Sequence, residues 1–528
     1  MKISAFTVAC ALGRDKAEVA ANLEKRCAIG MTELDGDIKG RTIRFGMVPG
    51  ELPAIGEKEF DFRSCRLLKH ALMSDGFGEA AKGLVEKYGA RRVAVVLGDS
   101  TTGIDEAQKC IEGWLSSGTR PEGFDFSMIE LGTPADWLKR ELGIEGPSFA
   151  ISTACSSGAK AFASARRLVE AGFADAAIVG GVDSRCRFAM NGFSALGALS
   201  QGETRPFAPD RDGINLGEGV ALFVLEKGEG ALNFLGAGET SDAYHPTAPD
   251  PSGRGAADAM RLALEDAGLK PDDIDYVNFH GTGTVANDDM EMKAFEAVFG
   301  PFKEGVFGSP AGHPGSGALR KAESTKDLTG HCLGAAGAVE AAICLLKIES
   351  GKARAAISNS FAFGGSNASV VFSGTVPKNV GTVPGISRLV PHRGAMSFLD
   401  RVESVDLADE SVIVSFTVSK DHILWDGKGV PGWVAIEFMA QACAALTGAA
   451  DMARSPGEPP RIGFLLGTRR LDLGLERFEP GRRYTVKAKR EFGDDTTSAF
   501  SCTISLDGES IASATLNAYR PKIFEITA

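Results

Sequence analysis

Two patterns of apolar and polar positions alternate along residues 1 to about 375. Short apolar runs, typical of buried strands, are separated by stretches in which apolar residues have helical spacing. The clearest runs are Val93 to Leu97, Ala176 to Gly180, Ile274 to Phe279 and Ala355 to Ser358. The alternation predicts an α/β domain over residues 1–375.

A different pattern occupies the rest of the chain. Pro and Gly are frequent at 376–386, which predicts a linker. In residues 387–528 one marked helix is predicted, followed by strand-like runs that alternate in polarity. These elements are Trp433 to Ala450, Tyr484 to Glu491, Ala499 to Leu506 and Ile511 to Tyr519. One long helix beside antiparallel strands predicts a separate α+β domain, with the helix wrapped by the sheet.

The first domain contains an internal repeat. Gly158 to Gly180 can be laid on Gly337 to Asn359 without a gap, with Gly, Ala, Glu and Ile residues recurring in step. One helix-turn-strand unit therefore occurs twice, and two similar halves would place loops from both at their shared interface. On this register Cys155 of the first half aligns with Gly334 of the second, just after His331.

Composition and charge limit the classes of protein to which this chain can belong. A chain of 528 residues exceeds the size at which a single core keeps growing. The net charge of -12 argues against nucleic acid or an anionic membrane as a partner. The ten cysteines are scattered singly, which indicates neither a disulfide framework nor a metal site and favours the cytoplasm. No uncharged apolar run reaches the ~18 residues that a membrane span needs.

Cys155 lies where a predicted strand gives way to a predicted helix. Unpaired N–H groups and the positive end of the dipole at a helix N-terminus stabilise a thiolate, which is the reactive form of cysteine. A lone cysteine more often fills a gap in a core. Its role therefore depends on partners elsewhere in the chain.

Three further stretches place polar groups in glycine-rich loops. Asn278 to Thr284 ends a strand and projects an imidazole, Ser324 to Gly337 contains a lysine and a second histidine, and Asn359 to Asn367 is a turn between strands. Each stretch alone is weak evidence of function. Together with the segment around Cys155, the three stretches match the motifs of one family.

The segments TACSSG, HGTGT, STKDLTGHCLGAAG and NSFAFGGSNAS occur in the order and spacing of the elongating-type β-ketoacyl-acyl-carrier-protein synthases, which residues 1–375 resemble. Ala208 and Ala362 depart from the family pattern without removing a reacting group. The resemblance implies a thiolase-like fold, with two related α/β halves in five layers, and a homodimer. Priming-type synthases use Cys, His and Asn, and thiolases have a second catalytic Cys. Both families fit less well, because this chain has a histidine at each of the two positions, His280 and His331.

The resemblance also assigns roles. Cys155 would accept an acyl chain as a thioester, and His280 and His331 would bind the thioester carbonyl of malonyl-carrier protein during loss of carbon dioxide. Lys326 would set the electrostatics near His331. The backbone N–H groups of Cys155 and Phe363 would form the oxyanion hole, and the Phe363 side chain would gate the acyl pocket. The substrate-binding set implied by the same motifs is Phe363, Phe361, Thr282 and Thr284.

The second domain resembles the hot-dog-fold 3-hydroxyacyl-carrier-protein dehydratases, most closely those of aryl polyene-type pathways. The resemblance rests on Leu389 to Arg393, Phe398 to Val402, Pro431 to Trp433 and Ile436 to Gln441. Such enzymes pair a histidine with an acid on the central helix.

His422 and Glu437 are the candidates for this pair, with the Gly432 N–H as donor to the thioester oxygen and with His392 in a structural role. The resemblance implies that the two side chains meet in one pocket across a subunit interface, because hot-dog domains of this family complete their sites as dimers. The pair lies one position further apart than in the common fatty-acid pattern. A hot-dog domain that only dimerises or binds acyl chains therefore stays open as an alternative.

The combined expectation is an enzyme that extends a chain on acyl carrier protein by decarboxylative condensation and then dehydrates it. The product would belong to fatty acid, polyketide or aryl polyene-type biosynthesis. The 4'-phosphopantetheine group would arrive on the carrier, with no cofactor bound, and a separate ketoreductase would act between the two steps. An acidic carrier would need a local basic patch on this acidic protein, for which Arg63 and Arg66 are candidates. The rival is a scaffold of the chain-length-factor kind, which has no need of Cys155, His280 and His331 together.

Overall fold

The structure is a computed structural model that describes residues 1–121, 124–301, 321–374, 386–392, 394–454, 461–493 and 496–521. The chain divides into two compact units, Met1–Pro377 and Lys378–Ala528. The predicted linker at 376–386 lies outside the described residues except for Ile386.

The first unit is built from short strands and helices that alternate as predicted. Its strands are β1 Lys2–Ala9, β2 Met31–Ile38, β3 Arg41–Gly46, β4 Val93–Gly98, β5 Ser148–Ile151, β6 Ala176–Asp183, β7 Leu216–Gly217, β8 Gly219–Glu226, β9 Asn233–Ser241, β10 Tyr276–Asn278, β11 Lys321–Glu323, β12 Ala355–Ala362 and β13 Ser366–Ser373. Its helices are α1 Lys16–Lys25, α2 Arg63–Met73, α3 Phe77–Tyr88, α4 Ile104–Ser117, α5 Thr133–Glu141, α6 Ser157–Glu170, α7 Arg187–Ala195, α8 Arg254–Ala267, α9 Val285–Phe299, α10 Lys326–Thr329 and α11 Ala336–Glu349.

Ten of these strands form one sheet in two matching halves. The order is β11-β10-β12-β13-β9-β1-β8-β6-β4-β5, and the halves are joined by the single pair Lys2 and Asn233. In each half the outer strands run parallel and the inner ones antiparallel. The α/β prediction is therefore confirmed, as is the thiolase-like arrangement of two related halves.

The repeat seen in the sequence is the structural unit that relates the halves. Each boundary of α11 and β12 lies 179 positions after the corresponding boundary of α6 and β6. The two helices pack closely, because a Cβ on Gly158 would lie 2.7 Å from the Ala338 nitrogen. Glycine at this position lets the N-termini of α6 and α11 meet.

The second unit is an antiparallel sheet around one helix. Its strands are β14 Arg401–Asp406, β15 Ser411–Thr417, β16 Val430–Pro431, β17 Phe464–Leu473, β18 Arg477–Phe478, β19 Arg483–Gly493, β20 Thr497–Leu506 and β21 Glu509–Tyr519, and its helices are α12 Ile386–Leu389 and α13 Ala435–Arg454. The sheet order is β14-β15-β19-β20-β21-β17. The predicted α+β hot-dog arrangement is confirmed.

Helix α13 forms the core of this unit. Its Phe438 ring stacks on Phe416 with centroids 3.7 Å apart, and both rings are wholly buried. In the described part of the chain, Gly432–Arg454 is the stretch long and apolar enough to cross a membrane, and 61% of its apolar window is buried inside the protein. Its composition is that of a helix enclosed by a sheet.

Candidate active sites

The first site lies where strands from both halves end. Cys155 follows β5, His280 follows β10, and His331 follows α10, which itself follows β11. The parallel strands of the two halves run in opposite directions, so the loops do not meet through a shared sheet edge. Cys155 and His331 come together because they precede α6 and α11, whose N-termini pack against each other. The His331 Nε2 atom is 2.9 Å from the Cys155 sulfur, and the two imidazole rings are 5.4 Å apart and nearly perpendicular.

A cavity of about 350 Å³ connects these groups with the predicted substrate-binding residues. Besides Cys155 and the two histidines, it is lined by Thr282, Thr284, Phe361 and Phe363. Phe363 is 38% exposed and stacks on Phe193 of α7, with ring centroids 5.5 Å apart. The predicted gate residue therefore stands partly in solvent at the wall of the pocket.

Hydrogen bonds fix which nitrogen of each histidine carries its proton. The Leu333 N–H donates to His331 Nδ1 at 3.2 Å, and the Lys326 ammonium is 3.5 Å from His280 Nδ1. Both Nδ1 atoms accept, so both Nε2 atoms carry hydrogen. Burial, and then the charge of Lys326, lowers the pKa of each histidine well below its ordinary value. The site therefore presents two neutral imidazole donors.

Lys326 lies behind the histidines and not in the cavity wall. It is wholly buried, ion-paired with Glu340, and donates to the His280 carbonyl at 2.6 Å. Burial raises the pKa of Glu340 to about 7, against the opposing effect of Lys326. Glu291 of α9 accepts from the N–H groups of His280 and Gly281 at 2.7 Å each, which holds the histidine loop in place.

The electrostatics of Cys155 differ from the sequence prediction. Burial raises the pKa of its thiol to about 11, while Lys326 and the backbone N–H groups of Phe363 and Cys155 lower it by less. The resting group is thus a thiol and not a thiolate, because desolvation outweighs the helix terminus. The two N–H groups that face the sulfur are those predicted for the oxyanion hole.

The second site is a smaller cavity of about 150 Å³ beside α13. It is lined by Glu437, His392, Cys443 and, toward the end of the helix, Arg461, Arg490 and Arg520. His392 Nε2 is 3.7 Å from a carboxylate oxygen of Glu437. The sequence predicted a structural role for His392, yet it is the histidine that shares a pocket with Glu437.

Gln441, one helical turn after Glu437, holds this pair together. Its amide donates to Glu437 at 2.8 Å and to the Met396 carbonyl at 2.9 Å, while its oxygen accepts from the Phe398 N–H at 3.0 Å. The wholly buried amide ties the segment after His392 to the helix. A glutamine four positions after the acid was the sequence signal for this link.

His422 is not brought to Glu437 within one chain. Its ring packs on Phe398 and Phe438 at 4.4 and 6.1 Å, and it does not line the cavity. Its Nδ1 accepts from the Leu424 N–H at 3.1 Å, whereas its Nε2 has no partner among the described residues. Burial lowers the pKa of His422, so the ring is neutral and packs like an aromatic side chain.

The predicted role of Gly432 is also corrected. Its N–H donates to the Glu476 carbonyl at 2.7 Å and is not free for a thioester oxygen. The two backbones lie so close that a Cβ on Gly432 would be 2.4 Å from the Leu475 carbonyl oxygen. Glycine at this position therefore serves packing.

Arg63 and Arg66, considered as a docking patch for an acidic partner, are already paired. Arg63 binds Glu218 through two hydrogen bonds, and Arg66 binds Asp61 at 2.7 Å. Both cations are thus neutralised within the fold.

Comparisons with known proteins agree with the two-unit description. Residues 130–231 and 233–358 match the models of the β-ketoacyl synthase N-terminal and C-terminal domains, and residues 384–528 match the ApeP-like family, described as ApeP dehydratase. Nodulation protein E of Rhizobium meliloti is 33% identical over 408 residues, which are 69% of this chain and 96% of the relative. The 3-oxoacyl-[acyl-carrier-protein] synthase 2 of Staphylococcus aureus is 34% identical over 325 residues, covering 54% of this chain and 75% of the relative.

Two solved structures show the same architecture for the first unit. The ketosynthase ApeO of Xenorhabdus doucetiae, in complex with its chain length factor ApeC, matches with a TM-score of 0.64 and 37% identity. The match covers 71% of this chain and 97% of that one. The ishigamide ketosynthase/chain length factor matches with a TM-score of 0.59 and 28% identity, covering 71% and 98%.

Proposed function

Because the chain belongs to the β-ketoacyl synthase family and joins its condensing unit to an ApeP-like dehydratase domain, we propose that one polypeptide catalyses both condensation and dehydration. In the first step Cys155 takes an acyl chain from a carrier protein as a thioester. As the new bond between the Cys155 sulfur and the acyl carbon forms, the thioester bond to the carrier breaks, and the thiol proton passes to the departing phosphopantetheine sulfur. The N–H groups of Cys155 and Phe363 stabilise the oxyanion of each acyl-transfer step.

The second step uses the two imidazole donors. Malonyl-carrier protein places its thioester carbonyl between His280 and His331, and their Nε2–H groups stabilise the enolate that forms as carbon dioxide departs. The carbanion then attacks the Cys155 thioester, so that a carbon–carbon bond forms, the bond from the acyl carbon to the Cys155 sulfur breaks, and the released thiolate takes up a proton to restore the resting thiol. The single observation that carries this proposal is the buried set of Cys155, His280 and His331 around one cavity, since a chain-length-factor-like scaffold has no need of all three.

For the second unit we infer that His392 removes the proton α to the thioester and Glu437 protonates the departing β-hydroxyl. The 3.7 Å approach of the two side chains in one cavity supports this pair over His422 and Glu437. Gln441 orients Glu437 and the segment that follows His392. The non-catalytic alternative, a domain that only dimerises or binds acyl chains, predicts no turnover of a 3-hydroxyacyl substrate.

The partners follow from the same chemistry. Acyl carrier protein delivers acyl, malonyl and 3-hydroxyacyl groups on 4'-phosphopantetheine, as the name of the Staphylococcus relative suggests, and a separate ketoreductase works between the two steps. We expect no other cofactor. All ten cysteines are unpaired, which supports a cytoplasmic location.

A homodimer is part of the proposal. Strand β17 is an edge of the second sheet and exposes Phe464, Leu465 and Leu466, which a second copy would cover. For the first unit a chain length factor is the alternative partner, since ApeO and the ishigamide ketosynthase were solved with one.

Intact mass spectrometry of defined carrier proteins tests the whole sequence of reactions. Acyl- and malonyl-carrier proteins incubated with the enzyme should give a 3-oxoacyl-carrier protein. After reduction by an added ketoreductase, the product should lose the mass of one water. Condensation without any loss of water would leave the synthase assignment standing and refute the dehydratase assignment.

A further inference from the structure

The turn after His331 is held by a carboxylate from another part of the fold. Asp183, the last residue of β6, is wholly buried and accepts from the Gly334 N–H at 2.5 Å. There is no room to replace this contact with a side chain, because a Cβ on Gly334 would lie 2.7 Å from the same Asp183 oxygen. The carboxylate therefore fixes the backbone where the turn leads into α11.

Asp183 is itself held rigidly by the loop after β4. Ser100 donates its N–H and hydroxyl at 3.0 and 2.7 Å, and Thr101 donates its N–H and hydroxyl at 2.7 and 2.6 Å. With Gly334 this makes five donors to one carboxylate, and both of its oxygens are held in place. Its neighbour Asp99 is also buried, and burial followed by the charge of Asp183 raises the pKa of Asp99 well above its ordinary value.

The anchored turn controls the catalytic imidazole. Leu333 lies between His331 and Gly334, has a left-handed backbone with φ of 50°, and donates its N–H to His331 Nδ1. Such a conformation is costly for leucine and persists only where the surroundings impose it. Gly334 is the next residue, so its bond to Asp183 limits how far the Leu333 N–H can turn.

We propose that Asp183 is a positioning residue for the condensation reaction, which acts through Gly334 and Leu333 to keep the proton of His331 on Nε2. This proposal rests on the role of His331 in decarboxylation. Without the anchor the Leu333 N–H leaves Nδ1, the imidazole samples both tautomers, and the donor for the enolate is lost part of the time.

The test compares Asp183→Asn with Asp99→Asn in the full-length protein. Asparagine at 183 replaces one acceptor oxygen by a donor facing N–H and O–H groups. Asparagine at 99 changes a neighbouring buried carboxyl that accepts from the Thr101 and Thr102 N–H groups and not from Gly334. Decarboxylation of malonyl-carrier protein should fall about tenfold or more in Asp183→Asn, because misplaced catalytic groups cost at least this much. Acylation of Cys155 should change by less than about twofold in both variants, since His331 acts in the later step.

A spectroscopic readout separates positioning from general damage. In protein with ¹⁵N-labelled histidine, the His331 signals should show the Nε2–H tautomer in wild type and Asp99→Asn, and a mixture in Asp183→Asn. An unchanged tautomer, or equal losses of acylation and decarboxylation, would overturn the proposal. If Asp183→Asn does not fold, Thr101→Val removes one hydroxyl donor to Asp183 without removing a hydrogen bond to Gly334. It should give a smaller shift in the same direction, and no shift would overturn the proposal.

His331→Ala distinguishes this proposal from the one it rests on. If that variant still decarboxylates at the wild-type rate, the role of His331 is wrong. If it loses decarboxylation while Asp183→Asn keeps both rate and tautomer, only the role of Asp183 is wrong.

Discussion

The two cavities of this protein hold their reactive groups in different ways. In the first unit His280, His331 and Lys326 are 2%, 1% and 0% exposed, and each is fixed by backbone or buried side-chain partners. In the second unit the side chains of His392 and Glu437 are 29% and 36% exposed, and one buried glutamine holds the carboxylate. Under the proposed function, charge develops on an enolate in the first site, where burial strengthens each donor, whereas the second site would transfer protons at side chains that stay partly in solvent.

The largest effect should come from the covalent residue. Cys155→Ala should abolish both acyl transfer to the protein and condensation, because the intermediate has no other attachment point. Dehydration of a 3-hydroxyacyl-carrier protein should continue. Intact mass of the protein measures the first effect, and Cys27→Ala, which removes an exposed thiol, is the matched control. An acyl group still found on Cys155→Ala would place the nucleophile elsewhere.

The next largest effect should separate the two histidines of the second unit. His392→Ala should lower the dehydration rate ~10²-fold or more, as for loss of a general base. His422→Phe should retain most of the activity, because that ring already packs between Phe398 and Phe438. Turnover of 3-hydroxyacyl-carrier protein measures both. The reverse result would restore His422 as the base and require a site completed by a partner subunit.

The buried thiol predicts a steep pH dependence. Its pKa of about 11 means that the thiolate fraction of Cys155 rises about tenfold for each pH unit between neutrality and that value. The alkylation rate of Cys155 should follow this slope, whereas a free thiol with pKa ~8.5 levels off earlier. Lys326→Met should slow alkylation at each pH, because the ammonium group lowers the pKa. A plateau near neutrality would show that the thiolate is already present.

The smallest effect concerns the glutamine that holds the second site. Gln441→Met keeps the length of the side chain but removes its three hydrogen bonds, and each is worth about 0.5–1.5 kcal/mol. We expect kcat for dehydration to fall by about a few-fold to tenfold, with KM and condensation little changed. Gln441→Glu is the comparison variant, because it keeps an oxygen that accepts from the Phe398 N–H but loses the amide donor. An unchanged kcat would mean that Glu437 is positioned without it.

The first site was predictable because its residues lie in glycine-rich loops that follow strands. The order and spacing of these loops in the sequence indicate which side chains meet in the fold. Cys155, His280 and His331 meet as expected, and the repeat predicts which helix and strand recur. The protonation of Cys155 was not predictable in this way, since it depends on burial by residues from both halves.

The second site was harder because its histidine precedes the helix by many residues in a segment without regular structure. Gln441 links Glu437 to Met396 and Phe398, in the segment after His392, and His422 lies nearer to Glu437 in the sequence. Proximity in the sequence therefore favoured His422, whereas within one chain His392 is the histidine that lines the cavity with Glu437. The hydrogen bond from the Gly432 N–H to the Glu476 carbonyl was equally hard to predict, because the segment around Glu476 contains no motif.

The alignment of Cys155 with Gly334 makes the two halves unequal in what they can carry. A Cβ on Gly334 would lie 2.7 Å from an Asp183 oxygen and 3.0 Å from the Asp99 carbonyl carbon, so no side chain fits at this position of the second half. A cysteine placed there would therefore not give a second nucleophile without movement of the surrounding backbone. The two-fold repeat of the fold thus supports one nucleophile and not two.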